Sequence, residues 1–171
     1  MKMSFQMNNE ETKQLKNCMA LLDTSKTLQL ATVDSQGMPH ISYAPFIRQD
    51  EHFYIYVSQL ADHTKYLQQI LSVSLMVIRD EAQSKNLFAR ERLIIEADVT
   101  PLDQMANKSV LDTMEASLGG TVGLLRSLPD FMLFKLTAVS ARYIAGFGKA
   151  FQLDLAKKII EHISAEQLAK R

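Results

Sequence analysis

The sequence is poor in residues that cross-link a fold and in long apolar runs. Among its 171 residues there is one cysteine, Cys18, so no internal disulfide and no zinc site made of cysteines can form. No apolar run is long enough to cross a bilayer, and the opening residues, MKMSFQMNNEETK, lack the apolar core of a signal peptide. We therefore expect a cytoplasmic protein that does not insert into membranes.

An excess of charge of one sign and the common catalytic signatures are also missing. Lys and Arg total 19, Asp and Glu total 19, and no long basic run occurs, so we expect no nucleic-acid partner. The sequence has no glycine-rich phosphate loop, no nucleophile elbow and no His-Glu-x-x-His motif. Its four histidines are scattered and predict no sequence-local metal cluster. No catalytic residue can be named from these patterns.

What the sequence does contain is a series of short alternating segments separated by turn residues. They predict six strands, at 27–34, 40–48, 52–58, 73–79, 87–102 and 131–147. Helices are predicted at 10–23, 62–70, 104–118 and, at the C-terminus, 154–171, and residues 1–9 are predicted to be disordered. Tight hairpin turns imply antiparallel pairing. The prediction is one domain over 1–171, of class α+β: a six-stranded antiparallel β-barrel with peripheral helices.

The connection between the third strand and the second helix is a candidate anion site. The hydroxyls of Ser58 and Thr64, the first amides of the helix and the ammonium of Lys65 could converge on a phosphate or carboxylate. The alternative is that these polar groups only cap the helix and stabilise the turn.

Two arginines form a second candidate. Arg90 and Arg92 are two residues apart in a predicted strand, so their side chains share one face. Two adjacent guanidinium groups can hold a phosphate between them. The alternative is that they pair with Glu91, Asp98 or carboxylates of a neighbouring strand.

Taken together, several short blocks resemble the FMN-binding split barrels of the pyridoxamine 5'-phosphate oxidase-like superfamily, and more narrowly its haem-utilisation branch. The blocks are Thr27–Asp34 with Gly37, Ser42–Phe46, Ser58–His63, Asp80–Arg90, Asp130–Phe134 and Gly146–Ala150. The resemblance implies a split β-barrel that forms a homodimer, with two cofactor sites, for FMN or haem, at the subunit interface.

For FMN, the resemblance implies a set of cofactor-binding residues. They are Ser58, His63, Thr64 and Lys65 at the phosphate, Arg92 with Arg90 beside it, and Ser42 and Tyr43 at the flavin edge. Leu93 stands where such flavoenzymes often carry a glutamine.

For haem, the resemblance implies a histidine near the C-terminus as the iron ligand, supported by an acidic residue before the last strand. Asp130 matches the acidic position. The chain ends in Glu166–Arg171 where a Gly-His-basic tail is expected, and His162 is the nearest candidate ligand.

Three functions therefore remain open. The first is haem binding with haem degradation, which would require a reductase partner. The second is FMN-dependent oxidoreduction, and the third is a cofactor carrier that uses the same cleft without turnover.

Overall fold

The computed structural model describes residues 7–164, and residues 1–6 and 165–171 lie outside this description. The helices are α1 (Asn9–Thr24), α2 (Asp62–Gln69), α3 (Lys108–Leu118) and α4 (Thr121–Leu125). The strands are β1 (Thr27–Val33), β2 (Pro39–Gln49), β3 (His52–Ser58), β4 (Ser72–Ile78), β5 (Arg92–Leu102), β6 (Phe131–Gly146), β7 (Lys149–Asp154) and β8 (Ile159–His162). No helix of the described part is long and apolar enough to cross a membrane.

The strands follow the order β3-β2-β1-β4-β5-β6-β7-β8, and β3 also pairs with β6. This additional pairing joins the first six strands into a closed barrel, while β7 and β8 extend the sheet beyond β6. The six predicted strands and the α+β split-barrel class are thus confirmed. Closure removes the exposed edges that an open sheet of six strands would leave.

Residues 26–76 and 95–139 form one compact unit. Within it β3 and β6 are antiparallel, from His52 opposite Thr137 to Ser58 opposite Phe131. The β1–β2 hairpin turns at Gly37, whose φ of 81° suits glycine. Its core combines buried residues from the strands and from α3: Ile47, Tyr54, Tyr56, Leu133, Val110, Leu111 and Met114.

Residues 7–25, 77–94 and 140–164 form the described part of the second unit. Helix α1 begins with a capping box, because the Asn8 side chain accepts from the Glu11 amide while the Glu11 side chain accepts from the Asn8 amide. Cys18 is fully buried on this helix beside Leu21 and Leu22, as its helical spacing predicts. The prediction that residues 1–9 are disordered is therefore wrong at Asn8 and Asn9. Residues 1–6 lie outside the described part of the chain.

The predicted C-terminal helix over 154–171 is wrong for its described part. Asp154 ends β7, and its carboxylate accepts from the Lys157 amide at 2.9 Å, which is the bond expected of a helix cap. The chain then reverses at Lys158, where φ is 55°, and β8 pairs with β7 instead of continuing a helix. Residues 165–171 of the predicted helix lie outside the described residues.

The start of the fifth strand also differs from its prediction. Residues 87–89 form a single 3₁₀ turn, as do residues 81–83, and β5 begins only at Arg92. The side chain of Asn86 caps the turn at 87–89, and that of Asp80 caps the turn at 81–83. Arg90 therefore precedes the strand, and it does not share a strand face with Arg92 as predicted.

Candidate functional site

The turn that follows β3 is held by its own hydroxyl groups. The Ser58 hydroxyl donates to Asp130 Oδ2 at 2.7 Å and accepts from the Leu60 amide at 3.1 Å. The Thr64 hydroxyl is fully buried and donates to the Ser58 carbonyl at 2.6 Å. We call residues 58–65 together with Asp130 the Ser58 turn. Both hydroxyls that were candidates for an anion thus have structural partners.

The charged groups of the Ser58 turn do not favour a phosphate. Lys65 is exposed and its ammonium lies 3.4 Å from Asp62 Oδ1 in the first turn of α2. Asp130 adds a second carboxylate beside Ser58. Two carboxylates would repel an anion and offset the attraction of the helix amides. No side chain caps α2, whose N-cap is Ala61, so the bonds of Ser58 and Thr64 agree with the turn contacts of the alternative interpretation and not with its helix caps.

Six buried polar atoms of the same unit lack a hydrogen-bond partner among the described residues, and four of them are of interest here. They are Thr32 Oγ1, His40 Nδ1, Ser42 Oγ and His63 Nε2. Thr32 lies directly opposite His40 in the β1–β2 pairing. Buried polar atoms are normally satisfied, so this set has unused capacity to bind water or a ligand. We call it the histidine cluster.

Helix α2 carries His63 of the histidine cluster and also Tyr66, which contacts the cluster. The Tyr66 ring meets the His40 ring edge-on, with centroids 5.4 Å apart. Burial lowers the pKa of His63 and the neighbouring His40 lowers it further, while Asp62 opposes the shift. A neutral His63 retains a nitrogen lone pair that can accept a hydrogen bond or ligate a metal.

The two flavin-edge candidates on β2 point to opposite faces of the strand. Ser42 lies inward with the histidine cluster, whereas Tyr43 is 68% exposed. This is the consequence of a two-residue side-chain period. The structure therefore does not bring Ser42 and Tyr43 to one surface of the same chain.

In the other unit, a partly buried carboxylate organises the residues around the start of β5. Glu91 accepts from the Tyr143 hydroxyl on Oε1 and from Arg79 Nε on Oε2. Tyr143 is only 1% exposed, and burial first, then the hydrogen bond to Glu91, raises the pKa of its hydroxyl. Its hydroxyl is therefore a permanent donor at physiological pH. We call Arg79, Arg90, Glu91, Arg92 and Tyr143 the arginine network.

Arg90 and Arg92 have different partners within this network. Arg90 donates through Nε to the Arg79 carbonyl at 2.6 Å and lies 3.5 Å from the exposed carboxylate of Glu81. Arg92 donates to the Arg90 carbonyl at 2.9 Å, and no ion pair involves it among residues 7–164. Neither arginine pairs with Glu91 or Asp98. Arg92 thus keeps a positive charge that no carboxylate of the described chain neutralises.

His162 lies on the short strand β8, and not on a helix as predicted. Its Nε2 is 3.2 Å from the Gly148 carbonyl and its ring packs edge-on against Phe151, with centroids 5.2 Å apart. The ring is exposed, so it could release this one bond at small cost. Asp130, the acid proposed to support it, bonds to Ser58 within its own unit.

Sequence reasoning missed Arg79 and Tyr143, which belong to the arginine network, and His40, Thr32 and Tyr66. A buried tyrosine normally requires a partner for its hydroxyl, and this was the available signal for Tyr143. The partner itself is 52 residues away in sequence, so only the fold identifies it.

Comparison with known protein families identifies the class to which this closed barrel belongs. The model of the pyridoxamine 5'-phosphate oxidase family matches residues 15–145, so the chain belongs to this family. This confirms the superfamily that the sequence blocks indicate.

Individual relatives narrow the class. The chain is 40% identical over 131 residues to the heme oxygenase HutZ of Vibrio cholerae, covering 75% of this chain and 74% of the relative. The crystal structure of HutZ, described there as a heme storage protein, matches with a TM-score of 0.69 and 38% identity over 72% of this chain and 88% of that chain. Campylobacter jejuni ChuZ matches with a TM-score of 0.81 at 24% identity, covering 94% of this chain and 65% of that one, which concerns the fold alone.

Proposed function

We propose that this protein binds haem and takes part in haem utilisation, with degradation of the bound haem as its activity. The observation that carries the proposal is the 40% identity over 131 residues with the heme oxygenase HutZ. When haem is bound, its iron supplies the oxygen chemistry, while the protein supplies a ligand, counter-charges and restricted access.

The donor groups of this chain suit haem better than FMN. Haem is a flat apolar ring with two carboxylates and an iron that imidazole ligates well. Arg92 offers a positive charge without a carboxylate partner, and His63 and His40 offer buried nitrogens without partners. The resemblance implies an FMN phosphate at the Ser58 turn, but this turn contains the carboxylates of Asp62 and Asp130. The hydroxyls of the turn donate to a backbone carbonyl and to Asp130.

His162 is the proposed iron ligand, and Asp130 its proposed support from a second copy of the chain. The exposed ring and its single bond to the Gly148 carbonyl support this role for His162, since the ring can reorient without unfolding β8. We expect His162→Ala to shift and weaken the haem absorption spectrum. The matched control is His52→Ala, which removes another histidine whose ring pairs with Thr137 and Glu51. An unchanged haem spectrum in His162→Ala would refute the assignment.

A homodimer is also part of the proposal. Ile41 and Tyr43 are 69% and 68% exposed on the outward face of β2, next to Ala31 and Pro45. Adjacent exposed apolar side chains of this kind mark a protein interface, and a second copy can cover them by symmetry. Ile41→Glu should shift sedimentation from dimer to monomer, whereas Met105→Glu, at a residue that is 83% exposed beyond β5, should not. A monomeric unmodified protein would contradict this part of the proposal.

The second candidate function is haem storage without turnover. It is favoured by the description of the HutZ crystal structure as that of a heme storage protein. Incubating the haem complex with ascorbate and oxygen separates the two functions. Loss of the haem band with release of iron supports degradation, for which a reductase partner would supply electrons in the cell, and an intact band supports storage. The cytoplasmic location stays a prediction.

A further inference from the structure

Glu91 stands between the two candidate arginines in sequence, yet its carboxylate makes no hydrogen bond or ion pair with either of them. Its two carboxylate oxygens are taken by the Tyr143 hydroxyl and by Arg79 Nε. The Glu91 side chain is only 15% exposed, so a ligand has little access to it. Its role must therefore be exerted through its neighbours.

A continuous series of hydrogen bonds leads from Glu91 to the free guanidinium. The Arg79 amide donates to the Glu91 carbonyl at 2.9 Å, which ties the two backbones together. The Arg79 carbonyl accepts from Arg90 Nε at 2.6 Å, and the Arg90 carbonyl accepts from Arg92 at 2.9 Å. Each arginine is thus held by the backbone of the preceding member of the network.

We propose that Glu91 is a positioning residue that fixes Arg90 and Arg92 for the carboxylates of an anionic ligand. The proposal rests on the haem-binding function given above. Three neighbouring guanidinium groups repel one another, and the partly buried carboxylate of Glu91 offsets that repulsion at Arg79. Fixing long side chains before binding removes part of the entropy cost of ordering them in the complex. Tyr143 holds Glu91 in place from the core side.

A double-mutant cycle distinguishes a positioning role of Glu91 from a purely structural role. Glu91→Gln keeps the side-chain shape and removes the charge that holds Arg79. We expect it to weaken hemin affinity about fivefold in the unmodified background and less than about twofold in an Arg92→Ala background, because the lost benefit acts through Arg92. The control Asp98→Asn removes a charge from an exposed site of β5 that pairs with neither arginine, and it should change affinity less than about twofold. Equal losses of affinity in both backgrounds would overturn the proposal.

A ligand-free measurement distinguishes failure of this proposal from failure of the proposed function. In the unmodified protein, the Nε–H protons of Arg79 and Arg90 should exchange slowly with water in NMR spectra, because both are hydrogen-bonded. Glu91→Gln should accelerate the Arg90 exchange at least tenfold, whereas Asp98→Asn should not. Tyr143→Phe, which keeps the core volume, should produce a smaller acceleration in the same direction. An unchanged Arg90 exchange rate in a folded Glu91→Gln protein would refute positioning, even if hemin fails to bind to any variant.

Discussion

The Ser58 turn and the arginine network both gather hydroxyl and charged groups, but they differ in what remains for a ligand. In the Ser58 turn, the hydroxyls of Ser58 and Thr64 donate to Asp130 and to a backbone carbonyl, and Lys65 pairs with Asp62. In the arginine network, Arg79 pairs with the partly buried Glu91 and Arg90 with the exposed Glu81, while Arg92 donates only to the Arg90 carbonyl.

The difference shows why a list of polar residues does not identify a binding site. A site for an anion needs positive charge or N–H donors that the folded chain does not already satisfy. In the Ser58 turn both hydroxyls and the Lys65 ammonium already have partners, which leaves mainly the uncapped first amides of α2. Arg92, by contrast, has no ion-pair partner among the described residues. We therefore favour the arginine network over the Ser58 turn as the candidate anion site.

The largest effect on stability is expected from Glu91→Ala. It leaves the buried Tyr143 hydroxyl and the Arg79 guanidinium without their carboxylate, and we expect a loss of about 3 kcal/mol in the free energy of unfolding. Urea denaturation measures this loss. Glu81→Ala, at a side chain that is 70% exposed, should change the same quantity by less than about 0.5 kcal/mol. Equal losses would mean that Glu91 is not the centre of the network.

The next effect is on hemin affinity and compares the arginine network with the Ser58 turn. Arg92→Ala should weaken hemin binding about tenfold, which corresponds to about 1.4 kcal/mol, because it removes the unneutralised charge. Lys65→Ala should weaken it less than about twofold, since its ammonium is already paired with Asp62. Absorbance titration of the two variants measures both values. A larger loss for Lys65→Ala would reverse the comparison.

A smaller effect on stability is expected within the Ser58 turn. Ser58→Ala removes a hydroxyl that donates to a carboxylate and accepts from the Leu60 amide, and we expect a loss of about 1 kcal/mol. If this turn has only a structural role, the hemin affinity of Ser58→Ala should stay within about twofold of that of the unmodified protein. The same variant therefore separates stability from binding, and a tenfold loss of affinity with normal stability would show that the turn contacts the ligand.

The smallest effect is a dependence of stability on pH through His63. Its pKa is lowered in the folded protein by burial and by the nearby His40, so the unfolded chain takes up a proton at higher pH than the folded protein. The contribution to stability is present above the usual histidine pKa and is lost as the pH falls through the lower, folded value. His63→Gln should flatten this part of the curve of unfolding free energy against pH, whereas His52→Gln should leave it unchanged. A steeper curve in His63→Gln would contradict the sign of the shift.

The sequence predicted the barrel because its strands alternate clearly and their turns carry strong signals. The turn at Gly37 and the helix end at Gly119, with φ of 98°, follow directly from residues that tolerate left-handed backbone. The prediction of a C-terminal helix was wrong because the apolar residues Leu155, Ile159 and Ile160 fit one face of a helix as well as they fit a short hairpin. Pairing of β8 with β7, which is a long-range contact, decided between the two.

The candidate site was only partly predictable, for a related reason. Arg90, Arg92, Ser58 and Asp130 could be named because their residue types suggest ligand chemistry. Which of them is already satisfied depends on partners far along the chain, such as Ser58 with Asp130, 72 residues apart. The separation of Ser42 and Tyr43 followed from strand periodicity and could have been predicted from the sequence.

Parallel titration of the purified protein with hemin and with FMN tests the central claim most directly. The account predicts a one-to-one hemin complex with a sharp absorption band that His162→Ala alters, and FMN binding at least a hundredfold weaker, which corresponds to about 2.7 kcal/mol. Tight FMN binding with only diffuse association of hemin would contradict the account and make the protein a flavoprotein of the same family.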